Sequence, residues 1–129
     1  MELKDMERRK YTRFRTQHDA YAALRGSFTK VGKIYDISLN GLAFRYLLEK
    51  NLEETFTHVD IFLKNDGFYL GGVPCTIIYD IKDPTFRFNE VSLYRCGLKF
   101  GLLNEEQQNK LEEFLNNHTN GEVKNLNPT

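Results

Sequence analysis

Apolar and polar positions change rhythm twice along the chain. Residues 1–18 are polar and charged, with too little apolar content to hold themselves against a core, and predict a mobile arm. From residue 20 apolar positions return in short runs: AYAALRGSF at 20–28, KVGKIYDI at 30–37, GLAFRYLL at 41–48, HVDIFL at 58–63, FYLGGVPCTIIYDI at 68–81 and VSLYRCGLKF at 91–100. Most have strand length, and aromatic and β-branched residues concentrate in them. Ser38-Leu39-Asn40-Gly41 separates the second run from the third, and its Asn-Gly predicts a β-hairpin. Asn65-Asp66-Gly67 marks another turn, and Asp83-Pro84 a loop. The run from Phe68 to Ile81 is long for one strand, so Gly71, Gly72 and Pro74 predict a bend or bulge inside it.

Past residue 100 the period becomes helical. Asn104 is a good N-cap, Gln107 stands at the capping-box position, and Leu111, Phe114 and Leu115 recur at i, i+3, i+4. One amphipathic helix is predicted from Glu105 to Asn117, able to plug an open end of the strand body or to pack on it. The remaining HTNGEVKNLNPT predicts a frayed tail. The chain therefore divides into a basic arm (1–18), a β body with its helix (19–117) and a polar tail (118–129). The class is all-β with an accessory helix, and six or so short strands at regular spacing favour a barrel or a sandwich.

Charge alters this picture locally. The chain of 129 residues is one domain's worth and has equal numbers of acidic and basic residues, 18 of each, so no strong overall field draws it to DNA or an anionic membrane. The arm nevertheless sets Lys4, Arg8, Arg9, Lys10, Arg13 and Arg15 against Glu2, Asp5 and Glu7. The C-terminal part sets Glu105, Glu106, Glu112, Glu113 and Glu122 against Lys110 and Lys124. A basic arm on a neutral protein points to a small anionic partner.

Other chemistries find little footing. Cys75 and Cys96 lack CxxC spacing and read as half-buried reduced thiols. His18, His58 and His118 are scattered, with no metal-ligand spacing. The sequence has no nucleophile elbow, phosphate-binding loop or zinc signature, so no enzyme, metal or cofactor is expected. The N-terminus has no apolar signal region and no run approaches membrane length, which predicts a cytoplasmic protein without membrane insertion.

Two motifs stand out on this framework. Arg9-Lys10-Tyr11-Thr12-Arg13 is an RxxxR at the mouth of the strand region. Asp36-Ile37-Ser38-Leu39-Asn40-Gly41 is a DxSxxG at the predicted hairpin turn. Together, in this order, they resemble the PilZ domain family, as do Arg8 before RxxxR, Phe14 after it, Gly97-Leu98-Lys99-Phe100 and the final helix. The resemblance spans Arg8 to Leu115. It implies a six-stranded antiparallel β-barrel with a C-terminal helix, and binding of cyclic di-GMP between the arm and the barrel face. Family members with an arginine at the place of Arg8 tend to bind an intercalated pair of ligands, so Arg8 is a candidate contact to a second molecule.

The residue types suit that ligand on chemical grounds. An arginine offers a planar donor fork to phosphate oxygens or to the O6/N7 edge of guanine, and its flat face stacks on a base. Asp36 can accept from guanine N1–H and N2–H or bond its own turn. Ser38 can donate to a phosphate or hold the turn. Gly41 suits a positive φ or close passage of the chain by the ligand. Tyr79 is a candidate stacking platform, or an ordinary strand aromatic. The expected site is thus Arg8, Arg9, Arg13, Asp36, Ser38, Gly41 and Tyr79, with a separate downstream protein as partner. Two alternatives stand beside it: a PilZ-like protein-interaction module that binds no nucleotide, and an OB-type barrel for single-stranded nucleic acid. The intact motifs argue against the first, and the neutral charge against the second.

Overall fold

The computed structural model of the chain describes residues 12–17, 19–26, 29–48, 55–65, 67–86, 88 and 91–122. Among them lie β1 (Phe14–Thr16), β2 (Ala20–Arg25), β3 (Thr29–Ile37), β4 (Gly41–Leu48), β5 (His58–Leu63), β6 (Tyr69–Lys82), β7 (Ser92–Phe100), α1 (Glu105–Asn117) and β8 (Thr119–Glu122). Strands β2 to β7 and the helix fall where the hydrophobic pattern places them.

The six strands hydrogen-bond in the order β2-β5-β6-β7-β4-β3, and a β2–β3 pairing closes the ring. The body is a closed six-stranded antiparallel β-barrel with a C-terminal helix, as expected. Closure removes the exposed strand edges that an open sheet would leave. Alternation sorts the side chains: along β3 Lys30, Gly32 and Ile34 are buried while Thr29, Val31 and Lys33 are exposed. The interior is filled by Leu24, Ile34, Phe44, Ile61, Val73 and Cys96, all fully enclosed.

A charged cluster is enclosed with them. Lys30 Nζ lies 3.0 Å from Asp80 Oδ2 and donates to the Tyr46 hydroxyl at 3.0 Å, while that hydroxyl donates to Asp80 Oδ1 at 2.7 Å. The Tyr46 and Tyr94 rings stack at 5.3 Å, and Lys30 sits 4.8 Å from the Phe56 ring. Cys75 and Cys96 are buried, Cys96 fully, where half-burial was expected; burial pushes their thiols up to about 11 and about 12. Neither becomes a nucleophilic thiolate near neutral pH.

The predicted bend in β6 is a bulge against β5, between the pairs Val59↔Val73 and Ile61↔Leu70. Gly72 takes φ +68° there, and its N–H donates to Asp60 Oδ1 at 2.8 Å. The helix docks on this bulge. Gln107 Nε2 donates to the Gly71 and Gly72 carbonyls at 3.3 and 3.1 Å, and Lys110 Nζ to the Tyr69 carbonyl at 2.9 Å. Both halves of the Asn104–Gln107 capping box form. Leu111, Phe114 and Leu115 join the barrel core, with the Phe114 ring 5.3 Å from that of Phe68.

Both ends of the described chain depart from expectation. Phe14–Thr16, inside the expected arm, pairs with β3 through Phe14↔Ile37 and Arg15↔Asp36. Thr119–Glu122, inside the expected tail, pairs with β1 in turn. The cause is backbone geometry. β2 covers one edge of β3 only along Thr29–Lys33, which leaves the edge at Asp36–Ile37 open to another strand. Hydrogen bonds of that kind need no apolar side chains, so hydropathy does not announce them. The Thr16 hydroxyl adds a bond to the Ile34 carbonyl. No helix among the described residues is long and apolar enough to cross a membrane.

Candidate functional site: a hairpin corner and its barrel wall

The turn after β3 is built by its own side chains. Ser38 N–H donates to the Gly41 carbonyl at 2.8 Å. The Ser38 hydroxyl donates to Asn40 Oδ1 at 2.7 Å and accepts from Asn40 N–H at 3.2 Å. Ser38 is 3% exposed, and these bonds hold the turn. Gly41 is not left-handed; Gly67, Gly72 and Gly121 are the glycines with positive φ among the described residues. A Cβ at Gly41 would stand 2.1 Å from the Leu98 carbonyl oxygen, so glycine is required for the approach of β4 to β7.

This corner presents Asp36. Its side chain is 14% exposed, with Oδ2 lying 3.9 Å from the half-exposed Arg13 guanidinium. Burial raises the Asp36 carboxyl above its ordinary value of 3.8, and Arg13 works in the opposite direction. The long separation leaves Arg13 with donors to spare for another acceptor. Arg8 and Arg9 lie outside the described residues.

Beside Asp36 the outer wall forms a continuous row. Arg15 pairs with Asp36, Asp36 with Ala43, Ala43 with Gly97, and Gly97 with Tyr79, crossing β1, β3, β4, β7 and β6. The two small residues leave a shallow floor. The Tyr79 ring lies against it, since a Cβ at Gly97 would stand 2.3 Å from that ring. The Tyr79 hydroxyl meets that of Tyr35 at 3.2 Å, and Arg45 lies 4.7 Å over the Tyr35 ring. Burial, followed by the bond to Tyr35, pushes the Tyr79 phenol well above its usual range. It stays neutral, with its ring 37% exposed to solvent.

The structure thus brings Arg13, Asp36 and Tyr79 onto one face, with Ser38 and Gly41 shaping the corner. It adds Tyr35, Arg45 and Arg95, which the sequence reading did not name. Arg45 and Arg95 are direct cross-strand partners on β4 and β7. Among the described residues no group of three or more His, Cys, Asp or Glu side chains is placed to hold a metal ion.

The PilZ domain model matches residues 7–117. The chain belongs to the PilZ domain family. Solved PilZ structures share its fold. The PilZ domain with c-di-GMP of YcgR from Escherichia coli superposes with a TM-score of 0.61 at 18% identity, covering 83% of this chain and 88% of that one. The MrkH–c-di-GMP complex of K. pneumonia gives 0.60 at 20% identity, covering 83% of this chain and 50% of that one. YcgR in complex with c-di-GMP gives 0.60 at 17% identity, covering 84% and 44%. The chain therefore spans about half the length of the MrkH and YcgR chains it resembles. No curated protein sequence matches it.

Proposed function

We propose that this PilZ protein is a receptor for cyclic di-GMP, and that the ligand bridges the arm and the Asp36 corner. The observation that carries this reading is the meeting of Arg13 from the RxxxR motif with Asp36 from the DxSxxG motif, 3.9 Å apart. The named contents of the YcgR and MrkH complexes, on the same fold, support the same ligand class. Arg9 and Arg13 donate to phosphate oxygens or to a guanine edge. Asp36, ionised, accepts from guanine N1–H and N2–H. Ser38 and Gly41 hold the corner in register, and Tyr79 carries a base on its exposed face. Arg8 contacts a second dinucleotide if two bind.

The dianion then fixes the arm against the barrel wall. Because β1 is hydrogen-bonded to both β3 and β8, a change in the arm reaches the segment after α1 and alters the surface offered to a downstream protein. Calorimetry with cyclic di-GMP, against cyclic di-AMP and GTP, tests the reading. Selective binding is expected. A charged hydrogen bond contributes about 1.5–3 kcal/mol, so Arg13→Ala should weaken binding roughly 10- to 150-fold. Unselective binding, or full affinity in the Arg9→Ala, Arg13→Ala double variant, refutes it and favours an interaction module that binds no nucleotide.

A further inference from the structure

The barrel wall holds a second basic site, separate from the RxxxR arm. Across three strands Lys33 faces Arg45, and Arg45 faces Arg95. Tyr21 flanks this row on one side and Ile81 on the other. Three cations in consecutive cross-strand positions repel one another, and like charges directly opposite destabilise a sheet. Among the described residues no carboxylate lies within 4.0 Å of either arginine. The carboxylate pairs within 4.0 Å among the described residues join Arg13 to Asp36, Arg25 to Asp60 and Lys30 to Asp80. The field of Asp83 reaches Arg95 and Arg45, but its carboxylate bonds Thr85. Arg95 Nε is buried without a hydrogen-bond partner. Arg45 rests on the Tyr35 ring, which leaves its donor edge open.

This row runs beside the one that carries Asp36 and Tyr79, because Tyr79↔Gly97 and Ile81↔Arg95 are neighbouring outward pairs on the same two strands. Arg95 and Asp36 are both close enough to act on the Tyr79 phenol. A base stacked on Tyr79 would therefore hold its sugar-phosphate within reach of the arginine pair, while Arg13 serves the other end of the ligand.

We infer that Arg45 and Arg95 form an anion subsite for the second phosphodiester of the dinucleotide, the one remote from Arg13. Two guanidinium forks set opposite each other match a group with two free oxygens. The bound phosphate neutralises a repulsion that the ligand-free barrel carries. This inference rests on the receptor reading above.

Arg45→Gln and Arg95→Gln are compared with wild type and Arg13→Ala by calorimetry with cyclic di-GMP, each with its ligand-free melting temperature. Each glutamine variant is expected to bind about tenfold more weakly or worse. The ligand-free melting temperature should hold or rise, since a like-charge contact is removed; a mere structural role would lower it. Arg45 is exposed, so Arg45→Gln decides alone if Arg95→Gln fails to fold. Wild-type affinity in the glutamine variants, with loss in Arg13→Ala, overturns the subsite and leaves the receptor reading standing. Absence of binding by the wild-type protein overturns both.

Discussion

Two charged clusters sit on opposite faces of the same barrel wall, and they are finished to different degrees. Inside, Lys30, Asp80 and Tyr46 bond to one another at 2.7–3.0 Å, and the lysine side chain is 2% exposed. Outside, Arg13 stands 3.9 Å from Asp36, and Arg45 faces Arg95 with no described carboxylate within 4.0 Å of either. A charge withdrawn from water must be mated within the fold, because its desolvation is otherwise uncompensated. A charge left at the surface keeps its hydration, tolerates a loose or repulsive neighbour, and remains available to something else. The difference separates side chains that hold the barrel together from side chains that the proposed function assigns to a ligand.

The largest expected break in this contrast is inside. Lys30→Ala leaves Asp80 without its cation and should cost about 3–5 kcal/mol of stability, while the folded fraction keeps its affinity for cyclic di-GMP. Chemical denaturation alongside calorimetry checks both halves; a loss under about 1 kcal/mol, or one confined to binding, would erase the division of labour.

A smaller effect is expected at Tyr79, the proposed platform. Tyr79→Ala should weaken ligand binding by about 1–3 kcal/mol, the range for one base–aromatic stack, and Tyr79→Phe should change it little. Equal loss in the two variants would mean that the hydroxyl contact with Tyr35, rather than the ring face, is what matters.

The smallest effect is a pH dependence. The folded Asp36 carboxyl is raised above 3.8, so its proton is held more tightly in the barrel than in the unfolded chain. Protonation therefore favours the fold: Asp36's contribution to stability is present at low pH and is lost as pH rises through its folded value. On the proposed function binding runs the other way, since the ionised carboxylate is the form that accepts guanine N–H groups. Affinity should fall as pH drops through that raised value, and Asp36→Asn should flatten this part of the profile. A wild-type profile flat through the acid range would remove Asp36 from the contact.

The corner was legible because its logic is local. Asn40-Gly41 marks a tight turn, Ser38 bonds within it, and the register beside it follows directly as Ile37↔Leu42 and Asp36↔Ala43. The register then slips between Ile34 and Asp36, with Tyr35 the extra residue. Counting outward from the turn without that bulge would set Ile34 against Arg45 and turn its apolar side chain to the wrong face. With the bulge, Lys33 meets Arg45 and Ile34 goes inside. The bulge's one trace in the hydrophobic pattern is that Ile34 and Ile37, both buried, stand three residues apart and so out of phase with strict alternation. Arg45 and Arg95 are 50 residues apart in sequence, and Lys30 and Asp80 likewise. Nothing near any of them indicates which is paired inside and which is left outside.

The sequence by itself determined the six barrel strands, the capped helix, the shape of the hairpin corner and the two motifs, because propensity, turn chemistry and alternation act over a few residues. Tertiary structure alone decided the strands β1 and β8, the row from Asp36 to Tyr79 and the facing arginines. Those depend on how strands bulge, close into a ring and leave part of an edge open, which is settled by backbone pairing between segments far apart in the chain.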